Sequence, residues 1–247
     1  LQWLFLRRVL NRTTSDFHPD IVHSHVVHPS GAIGYKIAKS HSRPLVITEH
    51  WSNLPVYFSR PIMSLLGRKA YSYSKLILPV SKFLRDKIIN YVSPDDHNKI
   101  IVVPNVVDQK IFRFSYRKKQ SSEQIRFISI ATWNRYKQVS KRPDIMIRSL
   151  AAFAKETDRK VSLTVVGDGD MIEDIRKIAA ENNLPLNCVG RKSKQEISEL
   201  FKDSDYFIHA SEIETFSIVT AEALMAGLPV IVSNTGALPE LVTPDRG

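Results

Sequence analysis

The sequence predicts an α/β protein organised as two units, each built on a parallel sheet. Three observations carry this. Short runs of β-branched and aliphatic residues alternate with helical segments along the chain, the pattern of strand, crossover and strand. A polar, basic stretch from Arg113 to Gln124, holding Arg117-Lys118-Lys119 and Ser121-Ser122, interrupts that alternation and reads as a linker. Polar residues gather where predicted strands end, which is where open α/β sheets bind ligands. The expected boundaries are a first domain over residues 1–112, a linker over 113–124 and a second domain over 125–247.

Bulk properties narrow the class. The 247 residues are 43% hydrophobic and 24% charged, ordinary for a globular chain with room for a sizeable core. The single cysteine, Cys188, excludes an internal disulfide framework and fits a reducing compartment. No apolar run approaches the roughly 18 residues of a bilayer span, and no signal peptide is visible at residue 1, so a cytoplasmic location is expected. The formal net charge of +10 suits nucleic acid, an anionic membrane or a phosphorylated small molecule. There is no RGG tract, no zinc-type Cys/His spacing and no RNA-binding aromatic signature, so nucleic acid is not an expected partner. The chain begins on Leu1 and stops at Gly247 just after a new strand–loop–helix pattern begins; it is expected to be an excerpt of a longer protein.

Taken in order, Leu1 to Leu10 reads as a helix carrying Arg7 and Arg8, either docked on its domain or lying in a membrane interface. Ile21 to Ser24 is a strand with His23, His25 and His28 at its C-terminal end, whose spacing lacks the helical pair or distant acid of a metal site. Gly31 to Ser40 is a helix. Leu45 to Thr48 is a strand ending in Glu49-His50-Trp51, and its position makes His50 a site candidate, with a satisfied strand-end histidine as the alternative. Pro61 to Tyr73 is helical, Leu76 to Val80 a strand, and Ser81 caps a helix from Lys82 to Tyr91. Ile100 to Val103 is the next strand, leading into the outward turn Pro104-Asn105-Val106-Val107-Asp108.

The second unit opens with the strand Ile125 to Ala131. The following loop crowds Arg135, Lys137, Lys141 and Arg142 into one connection before the helix Asp144 to Lys155. Concentrated positive charge between strand and helix suits an anion, most simply phosphate, though a solvated basic loop has the same composition. The strand Val161 to Val166 runs into Gly167-Asp168-Gly169-Asp170. That Gly-x-Gly lacks a third glycine and carries acids that repel phosphate, so it is read as a tight turn before the helix Met171 to Glu181. Leu186 to Val189, Glu196 to Phe201 and Asp205 to His209 continue as strand, helix and strand.

The stretch Ser211 to Val232 then organises the chain. It reads as a polar loop, a helix from Ser217 to Ala226 with Ser217 as N-cap and Gly227 as its stop, and a strand from Val230. The helix is apolar on nearly every side, yet Glu222 sits in its middle. A buried carboxylate is costly unless hydrogen-bonded, so either a protein group satisfies Glu222 or it faces a polar ligand.

These residues resemble family 4 of the nucleotide-sugar glycosyltransferases, which have the GT-B fold. Glu214 and Glu222 with Ala226-Gly227-Leu228-Pro229-Val230-Ile231 look like the family hallmark. Val102-Val103-Pro104-Asn105-Val106-Val107-Asp108 resembles its interdomain segment, Lys141-Arg142-Pro143-Asp144 its Lys-Gly-x-Asp helix start, and Gly236-Ala237-Leu238-Pro239-Glu240 its Gly-Gly-x-x-Glu turn. Pro79-Val80-Ser81 and His50 match in order, so the likeness covers most of the chain. The resemblance implies two Rossmann-like, doubly wound domains facing across a cleft, both incomplete here, with the donor held mainly by the second. It implies that Arg135 and Lys141 hold the donor diphosphate. The amides of Thr215, Phe216 and Ser217 would sit against phosphates or sugar, and Glu214 against the transferred sugar. Glu222 would take the ribose hydroxyls, Gly190 and Arg191 would lie near the base, and His50 would line the cleft near the reacting centre. Arg135 and Lys141 would carry the leaving-group charge, so no metal and no cofactor beyond the nucleoside diphosphate-sugar co-substrate is expected.

The chemistry so implied is transfer of the sugar to a glycan or lipid-linked acceptor with retention at the anomeric carbon, in surface polysaccharide assembly, with peripheral association to an anionic membrane. Departures are Ser217 where glycine commonly follows the Phe, Val106 in place of a turn glycine, and Arg135 lying deeper in its loop than in many members. The N-terminal glycine-rich loop and the C-terminal crossing helix are not among these 247 residues, so the excerpt itself is expected to be catalytically incomplete. Two other classes fit parts of the sequence: an epimerase or phosphorylase of the same architecture, and a non-catalytic module using its basic face on membrane or nucleic acid.

Overall fold

A computed structural model describes residues 18–114, 123–135 and 141–243. The Leu1–Leu10 helix, most of the expected linker and Lys137 lie outside the described residues. The chain divides into two compact units, Leu1–Val103 and Pro104–Gly247. The division falls at Val103 rather than at residue 112, because Val107 and Phe112 are buried in the core of the second unit.

In the first unit, three parallel strands lie in the order β1 (Val22–His25), β2 (Leu45–Glu49) and β3 (Leu76–Pro79). A kinked segment over Val27–Gly31, with His28 in extended backbone (φ −128, ψ 130), precedes α1 (Ala32–Ser40). After β2 come α2 (Leu54–Phe58), which the sequence reading did not identify, and α3 (Pro61–Tyr73), at the expected bounds; α4 (Lys82–Ile88) follows β3. Ser81 caps α4 as expected, its hydroxyl accepting from Leu84 N at 3.1 Å. The helix expected to run to Tyr91 tightens into a 3₁₀ turn after Ile88. Ile100–Val103 is not a full strand: it pairs with β3 through a single bridge, Ile77 to Ile100, and through amide bonds from Ile101 and Val103. The period of two along β2 points Leu45, Ile47 and Glu49 to one buried face. An acid thus sits at the core end of an otherwise aliphatic row.

The second unit has five parallel strands in the spatial order β6-β5-β4-β7-β8: β4 (Gln124–Ile130), β5 (Lys160–Val166), β6 (Leu186–Cys188), β7 (Tyr206–His209) and β8 (Val230–Val232). The crossovers are α5 (Pro143–Glu156), α6 (Ile172–Glu181), α7 (Lys194–Lys202) and α8 (Ile218–Met225), with α9 (Leu238–Leu241) after β8. Alternation along β4 sends Ile125 and Phe127 to a core shared with Met146, Ile147 and Leu150 of α5 and Ile175 and Ala179 of α6. Ile128 and Ile130 face the opposite core, with Ile197 and Phe201 of α7 and Ala223 of α8. Helices on both faces of a parallel sheet, with the strand order reversing between β4 and β7, make this unit a doubly wound fold.

Candidate functional site

In an open α/β sheet the crevice at the strand C-termini, beside the point where strand order reverses, is where the two flanking connections splay apart. Here that point lies between β4 and β7. The connection after β4 brings Lys141, and the loop after β7 brings Glu214. An antiparallel bridge from Lys141 to Ser211, and the amide of Arg142 donating to Ala210 O at 3.0 Å, tie the two connections together.

The side chains converge as well. Lys141 Nζ forms an ion pair with Glu214 Oε1 and lies 3.4 Å from Ser211 Oγ and 3.3 Å from His209 Nε2. His209, the last residue of β7, lies 2.9 Å from Glu214 Oε1. Burial pushes the Glu214 pKa up, but the His209 hydrogen bond and the Lys141 charge outweigh it, and the net shift is downward. Burial lowers the His209 pKa, which favours the neutral ring.

The Glu214 loop is itself clamped from below. Ser233 Oγ and Thr235 Oγ1 each donate to Ser211 O at 2.8 Å, and Ala237 N donates to Glu214 O at 2.9 Å. Gly236 has φ +58, and a Cβ there would lie 2.2 Å from Glu214 O. The Gly236–Glu240 turn therefore needs its glycine, because the Glu214 backbone occupies the space of a side chain.

The remaining candidates separate into two groups. Arg135 donates its amide to Asp170 Oδ1 at 2.9 Å and pairs its guanidinium with Asp174, while Arg191 pairs with Asp168 at 2.7 Å. Both arginines thus turn to acids beside β5 and at the start of α6, and the structure does not bring Arg135 to Lys141. Gly190 has φ +71 and receives Gly167 N on its carbonyl at 2.8 Å. The Gly167–Asp170 turn is packing, as read from the sequence: Trp133 N donates to Asp168 O at 2.8 Å, and a Cβ on Gly169 would lie 2.2 Å from Trp133 O.

The second group surrounds α8. Thr215 is half-buried, Phe216 is buried, and Ser217 stands before the first helical residue. Ser217 is not a side-chain cap. Its φ of +69 is left-handed, and its hydroxyl shares a 2.8 Å hydrogen bond with Thr220 Oγ1. A residue held at that φ explains why glycine is favoured there. Glu222 is buried, its carboxylate 3.3 Å from Lys194 Nζ, and burial raises its pKa despite that partner. Of the two readings left open for Glu222, a protein group does reach it, yet Lys194 is 55% exposed and leaves the pair at the protein surface.

His50 belongs to the first unit. It lies 3.0 Å from His25 Nδ1, and the two rings stack at 5.3 Å. Beneath it Glu49 is fully buried and accepts from Val27 N at 2.9 Å, Tyr71 OH at 3.1 Å, and His50 N and Trp51 N at 3.2 Å each. Among the described residues, no group of three or more His, Cys, Asp or Glu is arranged to hold a metal ion. Sequence reasoning missed His209 and Glu49. Both sit at strand ends, the rule that selected His50, and Glu49 also falls in the buried register of β2.

Residues 112–246 match the family of group 1 glycosyl transferases, and residues 1–110 match glycosyltransferase family 4. An uncharacterized glycosyltransferase of Methanocaldococcus jannaschii is 27% identical over 228 residues, covering 90% of this chain and 58% of the relative. The N-acetyl-alpha-D-glucosaminyl L-malate synthase of Bacillus anthracis is 27% identical over 233 residues, with the same two coverages. The chain thus spans about 58% of the length of these relatives. Anabaena HepE, solved with UDP, aligns with a TM-score of 0.75 at 18% identity over 96% of this chain and 65% of its own. The lipopolysaccharide outer core galactosyltransferase WaaB aligns at 0.70 with 20% identity, over 99% of this chain and 66% of its own. Structural likeness at that identity shows the fold, which is that of the GT-B glycosyltransferases.

Proposed function

Because this chain belongs to the group 1 glycosyl transferases, we propose that the protein moves a sugar from a nucleoside diphosphate-sugar donor to a glycan or lipid-linked acceptor, with retention at the anomeric carbon. The observation that carries the reading is the placement of Lys141 beside Glu214 where the strand order of the second sheet reverses. When the glycosidic bond breaks, the departing nucleoside diphosphate gains negative charge. A fixed ammonium and the amides in the first turn of α8, which receive no side-chain cap, stabilise that charge more in the transition state than in the ground state. The reading assigns this work to Lys141 and those amides, with no metal. Glu214 accepts from the hydroxyls of the transferred sugar and takes no covalent role, and Glu222 accepts from the ribose.

Supporting the donor class, HepE was solved with UDP. For a lipid-linked acceptor in surface polysaccharide assembly, the enzyme would work at the inner face of a membrane. Among the described residues no helix is long and apolar enough to cross one. On α3, Ile62 and Leu65 are 74% and 55% exposed, beside exposed Arg60 and Lys69, a composition suited to an anionic interface.

Full-length protein incubated with a panel of nucleoside diphosphate sugars should release nucleoside diphosphate with one of them in the presence of acceptor. A changed sugar nucleotide with no transfer would identify an epimerase instead.

A further inference from the structure

His209 occupies the centre of the Lys141–Glu214 arrangement without having been assigned a part in it. Its ring is buried, 2% exposed, and lies 6.0 Å from Phe207 in near-parallel orientation. Its backbone is fixed by register with Val232 and by Ser233 N donating to its carbonyl at 3.2 Å. Nε2 faces Glu214 Oε1 at 2.9 Å and Lys141 Nζ at 3.3 Å, whereas Nδ1 is buried with no hydrogen-bond partner among the described residues. These neighbours choose the protonation state. An imidazolium would bury an Nδ1–H with no acceptor and set a second cation against Lys141. The Nδ1–H tautomer would strand the same donor and turn the Nε2 lone pair toward a carboxylate oxygen. The Nε2–H tautomer forgoes acceptance from Lys141 at 3.3 Å and leaves a bare lone pair at Nδ1, but it buries no unpaired N–H and gives Glu214 the shorter, 2.9 Å hydrogen bond. The lowered pKa of the ring, caused first by burial, agrees with a neutral side chain.

We propose that His209 is a positioning residue: a neutral Nε2–H donor that holds the Glu214 carboxylate in place when Lys141 exchanges Glu214 for the donor diphosphate. The inference rests on the donor reading given above. Glu214 now has two partners, an ammonium and an imidazole N–H. An arriving diphosphate competes for the ammonium. The carboxylate left behind, its side chain only 14% exposed, needs a remaining donor or it swings out of register with the sugar. His209 supplies that donor from the rigid end of a strand, and because the ring is neutral it does not compete with Lys141 for phosphate.

Glutamine can place an amide N–H close to where Nε2 lies, asparagine places one near Nδ1, and leucine places none. In full-length protein, His209→Gln should keep kcat within about threefold of wild type. His209→Asn and His209→Leu should lower kcat about tenfold or more, with nucleoside diphosphate affinity little changed because Lys141 is untouched. Ring ¹⁵N spectra of His209 in the wild-type protein should show the Nε2–H tautomer at pH 7. Equal kcat in the Gln and Asn variants, which have similar size and polarity, would overturn the assignment, as would an Nδ1–H tautomer or an imidazolium. If wild type neither binds nor releases nucleoside diphosphate, the donor reading fails and this role fails with it. Wild-type turnover without the Gln/Asn difference removes the His209 role alone.

Discussion

Glu49 closes strand β2 of the first unit and Glu214 lies in the loop after β7 of the second, and they are held in opposite ways. Glu49 is fully buried and surrounded by neutral donors: three backbone amides and the hydroxyl of Tyr71. Burial prevails, and its pKa is pushed up to about 7. Glu214 is partly open and faces a cation and an imidazole, and its pKa is drawn down. Neutral donors that a loop cannot do without make a carboxylate a structural clamp, because no dissolved ligand replaces them. An ion pair at a crevice is different: an anion entering from solvent offers the lysine an equal or better partner. By this contrast Glu49 ties the loop carrying His50 to the turn at Val27, while the Glu214–Lys141 pair is the contact that the proposed donor would open.

The largest expected effect breaks the clamp. Glu49→Leu leaves Val27 N, His50 N, Trp51 N and Tyr71 OH without their acceptor, and should cost about 3–5 kcal/mol of stability in denaturant unfolding. A loss below about 1 kcal/mol would show that the four donors find other partners. Next, Lys141→Ala should lower turnover by about 10² to 10³ in full-length protein with little loss of stability, since the Glu214–Lys141 pair is not a clamp. Steady-state release of nucleoside diphosphate checks this, and unchanged turnover would remove Lys141 from the site.

The two acids should also respond to pH with opposite sign. The folded pKa of Glu49 lies above its ordinary 4.5, so its contribution is fully present below pH 4.5 and is lost as pH rises through about 7, a swing of about 3 kcal/mol. The folded pKa of Glu214 lies below 4.5, so its contribution is present above that pH and is lost as pH falls through the folded value. Melting temperatures of wild type relative to Glu49→Gln should decline from pH 4.5 to 8, and relative to Glu214→Gln should decline below pH 4.5. Parallel profiles for the two variants would erase the distinction. The smallest effect is expected from Gly236→Ala, which presses a methyl group onto the Glu214 backbone. It should lower kcat about tenfold at a stability cost of about 1–3 kcal/mol.

Much of this was legible in the sequence. The second unit could be read strand by strand because both sheet faces are covered and the apolar runs are unambiguous, as at Val161–Val166. Lys141 and Glu214 were legible as a basic connection and a polar loop, and the Gly236 turn as a motif. Their convergence on one donor came from the family resemblance alone, since their direct contact depends on β4 and β7 being neighbours, which strand order in the chain does not reveal. The basic loop was read as one cluster, yet Arg135 and Arg142 are paired to Asp174 and to Asp144 and Glu212. Composition shows charge but not which acids will answer it. Glu222 was legible as an anomaly, whereas Lys194 as its partner was not, being carried by a different helix. Ser217 looked like a cap because the residue type favours one, and its left-handed backbone overrode the preference.

The central claim is that Lys141 hands Glu214 over when a nucleoside diphosphate sugar binds. A crystal structure of the full-length protein with an intact donor tests it most directly. The predicted result places the diphosphate within about 3 Å of Lys141 Nζ where the strand order reverses, with the Lys141–Glu214 pair opened and Glu214 still bonded to His209. A donor bound elsewhere, with the Lys141–Glu214 pair intact, would contradict it.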